Sequence, residues 1–394
     1  MESDQQGRRR RATSRWWLLA VTLLSYGLSV NAVTGANLTD SSAALSGAEL
    51  HQGALAHTVR NGTGTFRVNE GHIIGPNGQP FIATGLSTYC EPPGEDIFDV
   101  RGCKTAITNF STGAPLTSVF PNINYVRWCT SSVKAPLPPA AWFSRFVDTL
   151  TALHIVTVIQ DCDYPTTLKD GALTDAEKAY AGWASAFNGN PYVWFATQNE
   201  PNNTNQQNAM ISGIYKAIRG TGNNTIVLID PATYSTSGMD ASMFREFNNV
   251  VWDVHFYGWI PAACIYSCEP AASLAGNINA MGAITSANGV VPTIVGEFGG
   301  ATDGCAEDPN AEAVIHAVLG SGHGFAAWYW NGGDCKKPGW LGSDNLLAAP
   351  NFDRAPMSLT PFGQMVATAI QNGPGPNSGD STSGGNGPER RLGR

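Results

Sequence analysis

Trp194-Phe195-Ala196-Thr197-Gln198-Asn199-Glu200-Pro201 is an apolar run that stops abruptly on an amide, a carboxylate and a proline. With Pro191 before it and Pro201 after it, the run has the length and composition of a strand buried on both faces, as in a parallel sheet. Proline cannot continue a ladder, so Glu200 is expected at the mouth of the sheet. A second ending of this kind follows in Val291-Pro292-Thr293-Ile294-Val295-Gly296-Glu297-Phe298-Gly299-Gly300, where a β-branched run closes on one carboxylate and then on glycines. Two strands thus each deliver a glutamate to a rim.

Working outward, apolar runs recur at Phe81 to Leu86, Tyr125 to Trp128, His154 to Ile159, Tyr192 to Ala196, Thr225 to Ile229, Val250 to Phe256, Thr293 to Val295 and Phe325 to Trp330. Helical or loop stretches separate them, which is the pattern of β/α units. The spacing predicts an α/β fold, a closed (β/α)8 TIM barrel. Helices are expected over Ala140 to Leu153, over Tyr180 to Phe187 behind a capping box at Thr174-Asp175-Ala176-Glu177, over Gln206 to Arg219 and over Ala311 to Leu319. Phe66-Arg67-Val68, His72-Ile73-Ile74 and the turn Pro76-Asn77-Gly78 read as a small hairpin that lids the bottom of the barrel.

The chain has 394 residues and 42% hydrophobic content, enough to bury a large core in one barrel-sized domain. Its formal charge of −8, with basic runs confined to the two ends, argues against a nucleic-acid partner. Residues 1–32 have the parts of an export signal: Arg8 to Arg11 and Arg15, an apolar stretch from Trp16 to about Val30, and small residues around Ala32. Cleavage after Ala32 would give a secreted protein with no stable membrane partner; an uncleaved segment would leave it membrane-anchored. Residues 33–64 read as a low-complexity arm, 65–372 as the catalytic domain and 373–394 as a disordered tail rich in Gly, Pro and Ser. Export fits the 8 cysteines, which show no metal-site spacing and read as disulfides. Asn37, Asn61, Asn109, Asn202 and Asn223 stand in glycosylation triplets, usable in a eukaryotic host.

In barrels of this kind active sites lie at the carboxyl ends of the strands. The endings here are Arg127-Trp128, Asn199-Glu200, His255-Phe256-Tyr257, Glu297 and Trp328-Tyr329-Trp330. Cys129 and Cys162 end neighbouring strands, close enough for a disulfide. Cys90 with Cys103, Cys264 with Cys268 and Cys305 with Cys335 are the remaining candidate pairs.

In their order and spacing, Asn199-Glu200-Pro201, His255-Phe256-Tyr257 and Gly296-Glu297-Phe298 resemble glycoside hydrolase family 5, the cellulase-like retaining (β/α)8 glycosidases, over roughly Phe66 to Gly373. The resemblance implies that Glu200 is the acid/base and Glu297 the nucleophile, since one carboxyl must protonate the leaving oxygen while the other attacks the anomeric carbon. Arg127 and Tyr257 would hold Glu297 ionised, Asn199 would bind the sugar 2-hydroxyl, His255 would position the sugar and Glu200, and Trp330 would supply an apolar platform. Many members of the family carry a histidine at the end of the third strand; here Ile159-Gln160-Asp161-Cys162-Asp163 has none, and Asp163 or Asp161 is the replacement sugar contact. Trp128, Tyr89, Trp259 and Trp340 serve either the core or the sugar.

The expected protein is a monomeric, secreted, retaining endo-β-glycosidase that cleaves β-1,4-glucan, with a polysaccharide or oligosaccharide partner and no metal or organic cofactor. The alternatives are a mannanase, a β-1,3-glucanase, a transglycosylase, or a barrel that binds carbohydrate without turning it over.

Overall fold

The computed structural model describes residues 64–90, 109–131, 136–162, 171–201, 204–231, 239–257, 269–299, 310–330, 346 and 358–373. Strands β1 (Arg67–Asn69) and β2 (His72–Ile74) pair antiparallel. There follow β3 (Thr84–Tyr89), β4 (Tyr125–Thr130), β5 (Val156–Asp161), β6 (Val193–Ala196), β7 (Val227–Ile229) and β8 (Val250–His255). A second small hairpin, β9 (Thr285–Ser286) with β10 (Gly289–Val290), precedes β11 (Thr293–Glu297) and β12 (Gly324–Ala327). The strands β11-β12-β3-β4-β5-β6-β7-β8 close into a parallel barrel. The fold is therefore the (β/α)8 TIM barrel, and each of the eight apolar runs contains or overlaps one barrel strand.

Period-two alternation sorts the strand residues between two cores. Val126, Trp128, Ile159, Phe195 and Val254 face outward and pack with Phe143, Phe146, Tyr180 and Trp183 of the surrounding helices. Tyr125, Val158, Trp194, Leu228, Val251 and Ile294 face inward. Phe66, Val68 and Ile73 join this inner cluster, so the first hairpin plugs the amino-terminal end of the barrel. The Phe66 ring meets Trp194 edge-on at 5.0 Å and Phe81 at 4.9 Å, contacts that add roughly 0.5–1.5 kcal/mol each beyond burial.

Three local expectations are corrected. The hairpin turns at Glu70-Gly71, where φ is 45° and 81°, as a two-residue primed turn requires. Pro76-Asn77-Gly78 makes the following turn, in which the Asn77 Oδ1 accepts the Gln79 N–H at 3.0 Å and the chain comes back to pair Pro80 with Ile74. The capping box does not form: the helix starts earlier, spanning Ala172–Ala186 behind Gly171 with no side-chain cap. Asn223 is unsuited to carry a glycan, because its Nδ2 donates to the Ala184 carbonyl at 2.9 Å and its Oδ1 accepts the Thr225 N–H at 3.0 Å. Asn109 is also buried, and Asn37, Asn61 and Asn202 lie outside the described residues.

The other expected helices are present at Ala140–Ala152, Thr204–Gly220 and Ala311–Leu319. Helices Ala114–Val119, Pro270–Gly282 and Pro361–Asn372 escaped sequence reading. The last two had signals. Glu269 caps the Ala272 N–H at 2.8 Å and Thr360 caps the Gly363 N–H at 2.9 Å, each followed directly by a proline preset for the first helical position.

Cys129 and Cys162 form the expected disulfide, with Cα atoms 5.4 Å apart. Cys90 is disulfide-bonded as well. Cys103, Cys264, Cys268, Cys305 and Cys335 lie outside the described residues, as do residues 1–32, expected as an export segment, and nearly all of the expected arm (33–64) and tail (373–394).

Candidate active site

Arg127 on β4 points into the barrel and is fully buried. Its planar fork reaches three neighbouring elements: Nε donates to Gln160 Oε1 at 2.6 Å, Nη1 to Glu297 Oε2 at 2.8 Å, and Nη2 to Asn199 Oδ1. Burial alone would lower its pKa, but Glu297, Asp253 and Asp230 outweigh that and raise it further above its ordinary value. The guanidinium is a permanent counter-charge inside the cluster.

Glu297 ends β11 and accepts from both sides, with Tyr257 Oη donating to Oε1 at 2.8 Å opposite the Arg127 contact. Strict alternation from the inward Ile294 would put Glu297 on the outer face. The register between β8 and β11 slips between Ile294 and Glu297, and this irregularity re-aims the carboxylate inward. Gly296 makes room for it: a Cβ there would stand 1.6 Å from Asp253 Oδ1.

Glu200 follows β6 with φ of 42°, in the left-handed region. Its N–H donates to Asp230 Oδ2 at 2.9 Å, and its Oε1 lies 2.7 Å from His255 Nδ1. Asn199 is fixed from behind, its N–H donating to the Asp161 carbonyl at 3.0 Å. With Asn199 Oδ1 taken by Arg127, its amide group has only N–H donors left to offer a ligand.

His255 is the hub. Beyond Glu200, its Nδ1 is 3.5 Å from Glu297 Oε2, and its Nε2 is 3.6 Å from Asp230 Oδ2 and 4.0 Å from Asp253 Oδ1. Burial would lower its pKa, but Asp230, Glu297 and Glu200 push it up to about 10, while Arg127 opposes them. The ring is therefore an imidazolium at neutral pH. Asp230 is driven above the usual carboxylate range by burial; His255 opposes the rise, and Asp253 and Glu200 add to it.

Oxygens of Glu200 and Glu297 and a nitrogen of His255 lie within 4.8 Å of one another, and the same holds for Asp230, Asp253 and His255. Such spacing could suit a cation, yet the Arg127 guanidinium and the His255 ring already lie against these carboxylates as their counter-charges. No metal is assigned.

The structure brings Arg127, Asn199, Glu200, His255, Tyr257 and Glu297 together. It does not add Trp330, which is fully buried in the outer core, 5.4 Å from the Phe110 ring and 6.1 Å from Phe120. The partly exposed aromatic of that tripeptide is Trp328, with the Arg127 guanidinium 6.0 Å from its ring centroid. Trp128 is likewise core, stacked on Phe146 at 3.8 Å. Tyr89 is buried beside the Cys129–Cys162 disulfide and Tyr329. Asp163, Trp259 and Trp340 lie outside the described residues.

Sequence reading missed Gln160, Asp230 and Asp253. Asp253 stands two residues before His255 and so shares its inward face. Asp230-Pro231 repeats, one strand on, the carboxylate-then-proline ending of Glu200-Pro201.

An eight-stranded parallel barrel with two glutamates converging at the carboxyl ends of its strands defines the class: a glycosidase. A family model described as cellulase (glycosyl hydrolase family 5) matches residues 144–334. The mannan endo-1,4-beta-mannosidase of Streptomyces lividans is 26% identical over 337 residues, 80% of this chain and 76% of that protein. The catalytic domain of a mannanase from Streptomyces sp. SirexAA-E superposes with a TM-score of 0.56 at 19% identity, covering 83% of this chain and 94% of that one. A Thermobifida fusca endoglucanase catalytic domain in complex with cellotetraose gives 0.55 at 18% identity, covering 78% and 97%. The family-model match, the relative and the shared barrel together support glycoside hydrolase family 5 and a retaining glycosidase.

Proposed function

We propose that the chain is a secreted endo-hydrolase of β-1,4-linked mannan or glucan, working by double displacement with Glu297 as nucleophile and Glu200 as acid/base. The observation that carries this reading is the approach of Glu200 and Glu297 oxygens to within 4.8 Å. Retaining enzymes hold their carboxyls about 5–5.5 Å apart, whereas inverting enzymes need roughly 6.5–9.5 Å to admit a water.

In the first step Glu200 gives its proton to the glycosidic oxygen while Glu297 Oε attacks the anomeric carbon; the C–O bond to the leaving sugar breaks and a glycosyl ester forms. In the second, Glu200 takes a proton from water, whose oxygen displaces Glu297 and restores the original anomeric configuration. Arg127 and Tyr257 hold the nucleophile by their hydrogen bonds to its two oxygens, and Asn199 offers its amide to the 2-hydroxyl. Trp328, not Trp330, is the candidate sugar platform.

The Streptomyces lividans relative supports mannan, and the cellulase description of the family model supports glucan, the substrate expected from sequence. These polymers differ at C2, the hydroxyl that Asn199 would read. The test is reducing-end release from mannan, glucomannan, a soluble cellulose derivative, mixed-linkage glucan and laminarin, by the native protein and Glu297→Ala, with the first product's anomer read by NMR. Release from mannan or the cellulose derivative as the β-anomer, lost in the variant, is expected. Normal turnover by Glu297→Ala, or an α-anomer first product, would refute the assignment. The export segment supports secretion, which amino-terminal sequencing of material from the medium tests against an uncleaved anchor.

A further inference from the structure

Asp230, at the carboxyl end of β7, is buried (2% exposed) and belongs to no role described so far. One of its oxygens, Oδ2, does two things at once. It accepts the Glu200 N–H at 2.9 Å, and it stands 3.6 Å from the Nε2 edge of the His255 ring, whose Nδ1 edge touches the Glu200 carboxylate at 2.7 Å. The Gln160 Nε2 approaches the same oxygen at 3.5 Å while donating to the Thr197 carbonyl at 2.8 Å. The Asp230 N–H in turn donates to Thr197 Oγ1 at 3.1 Å, so the strand ends of β5, β6 and β7 are tied together around this carboxyl.

We propose that Asp230 is a positioning residue for the acid/base: it holds the backbone of Glu200 from one side and, through His255, its carboxyl from the other. The inference rests on the assignment of Glu200 as acid/base. Its physical basis is the unfavourable backbone at Glu200. A non-glycine residue at φ 42° persists only where its surroundings over-determine it, and the Asp230 hydrogen bond is a tie of that kind. The direction of the Glu200 side chain is then set by where its backbone is held and by the ring against it. Displacing a reacting group by about 1 Å can cost on the order of 10²-fold in rate.

The charged groups facing Asp230 are His255 and Asp253 from β8 and Glu200 from the end of β6, with Arg127 of β4 and Tyr180 of the helix outside β5 farther off. Removing the Asp230 charge takes away a large part of what keeps His255 cationic. It also relieves repulsion on the Glu200 carboxylate. Both effects make the site lose its protons more readily.

The test compares kcat/KM on the phenyl and 2,4-dinitrophenyl β-glycosides of the disaccharide that the native enzyme prefers, for Asp230→Ala, Asp230→Asn and Glu200→Ala. Phenoxide needs a proton from the acid to leave; dinitrophenoxide does not. Asp230→Ala is expected to lose roughly 10- to 100-fold on the phenyl glycoside and less than about threefold on the dinitrophenyl one. Asp230→Asn, which keeps an oxygen to accept the Glu200 N–H, is expected to lose less on the phenyl glycoside, with the basic limb of its pH profile moved to lower pH. Equal losses on the two substrates would mark a merely structural role, and undiminished rates with an unmoved pH profile would mark none; either overturns the proposal. Glu200→Ala separates the two readings. If it fails to show the same leaving-group selectivity, the acid/base assignment itself falls; if it shows it and the Asp230 variants do not, only the role of Asp230 falls.

Discussion

Replacing Arg127 by methionine, which fills similar volume without charge, tests whether the guanidinium is the keystone of the charge cluster. The substitution removes the Nη1 contact to Glu297 at 2.8 Å and the Nε contacts to Gln160 at 2.6 Å and Asp253 at 3.6 Å. Asp253 suffers most, because it is completely buried and among the described residues neither of its oxygens has a hydrogen-bond partner. Leaving a buried charge without its partner costs about 3–5 kcal/mol. At roughly 2–4 °C per kcal/mol for a domain of this size class, the melting temperature should fall by about 6–20 °C at neutral pH. The deficit should shrink at acid pH, where protonated carboxyls no longer need the cation. Arg127→Lys keeps the charge but cannot place donors on three strands at once, so it should recover much of the stability and little of the rate, with kcat down by on the order of 10²-fold. Calorimetry at neutral and acid pH, with glycan hydrolysis measured alongside, reads all of this. A methionine variant melting within about 2 °C of the native protein at neutral pH would refute the reasoning, because the 3–5 kcal/mol attributed to the pair would then be absent.

His255, raised from an ordinary value near 6.5 to about 10 in the fold, contributes stability that is fully present below about pH 6.5 and lost as pH rises through about 10. Urea midpoints should decline over that window, and His255→Gln should flatten the decline. The Cys129–Cys162 bridge closes a sequence separation of 33. The Cys129→Ser, Cys162→Ser double variant should therefore lose about 3–4 kcal/mol by chain entropy, read by urea unfolding; an unchanged midpoint would contradict that account. Gly85→Ala would put a Cβ 1.7 Å from the Tyr125 carbonyl across the β3–β4 pair, and should destabilise by about 1–3 kcal/mol or more. Gly182→Ala, on an exposed helix position with open space around it, should instead stabilise by about 0.4–1 kcal/mol; thermal melts of the two should move in opposite directions.

The barrel was legible because fully buried parallel strands need continuous apolar runs, and the helices between them show their own period. Boundaries shifted where one period ran into another: the first barrel run, expected over Phe81 to Leu86, is a strand only from Thr84, because Phe81 belongs to the aromatic plug beneath. The convergence of Glu200 and Glu297 was legible from motif and not from periodicity. By alternation alone Glu297 faces outward, and only the register slip beside Gly296 turns it in. Trp330 was misplaced for a related reason: beyond the end of β12, at Ala327, nothing in the order Trp328-Tyr329-Trp330 says which ring faces the cleft. The structure leaves Trp328 partly exposed beside Arg127 and sinks Trp330 against Phe110 and Phe120.

What the sequence concealed most completely is the electrostatic balance. Four carboxylates, those of Glu200, Asp230, Asp253 and Glu297, surround two cations, Arg127 and His255, and all six residues are buried. Burial, with Asp253 and Glu200 adding to it, holds Asp230 above the usual carboxylate range against the opposing pull of His255. A retaining glycosidase needs one protonated and one ionised carboxyl at its rim. Arg127 and Tyr257 both donate to Glu297, whereas Glu200 meets the His255 ring, with Asp230 and Asp253 behind that ring. Two chemically identical side chains thus meet different partners, Glu297 a guanidinium and a phenol and Glu200 an imidazole, and the proposed division into nucleophile and acid/base draws on that asymmetry.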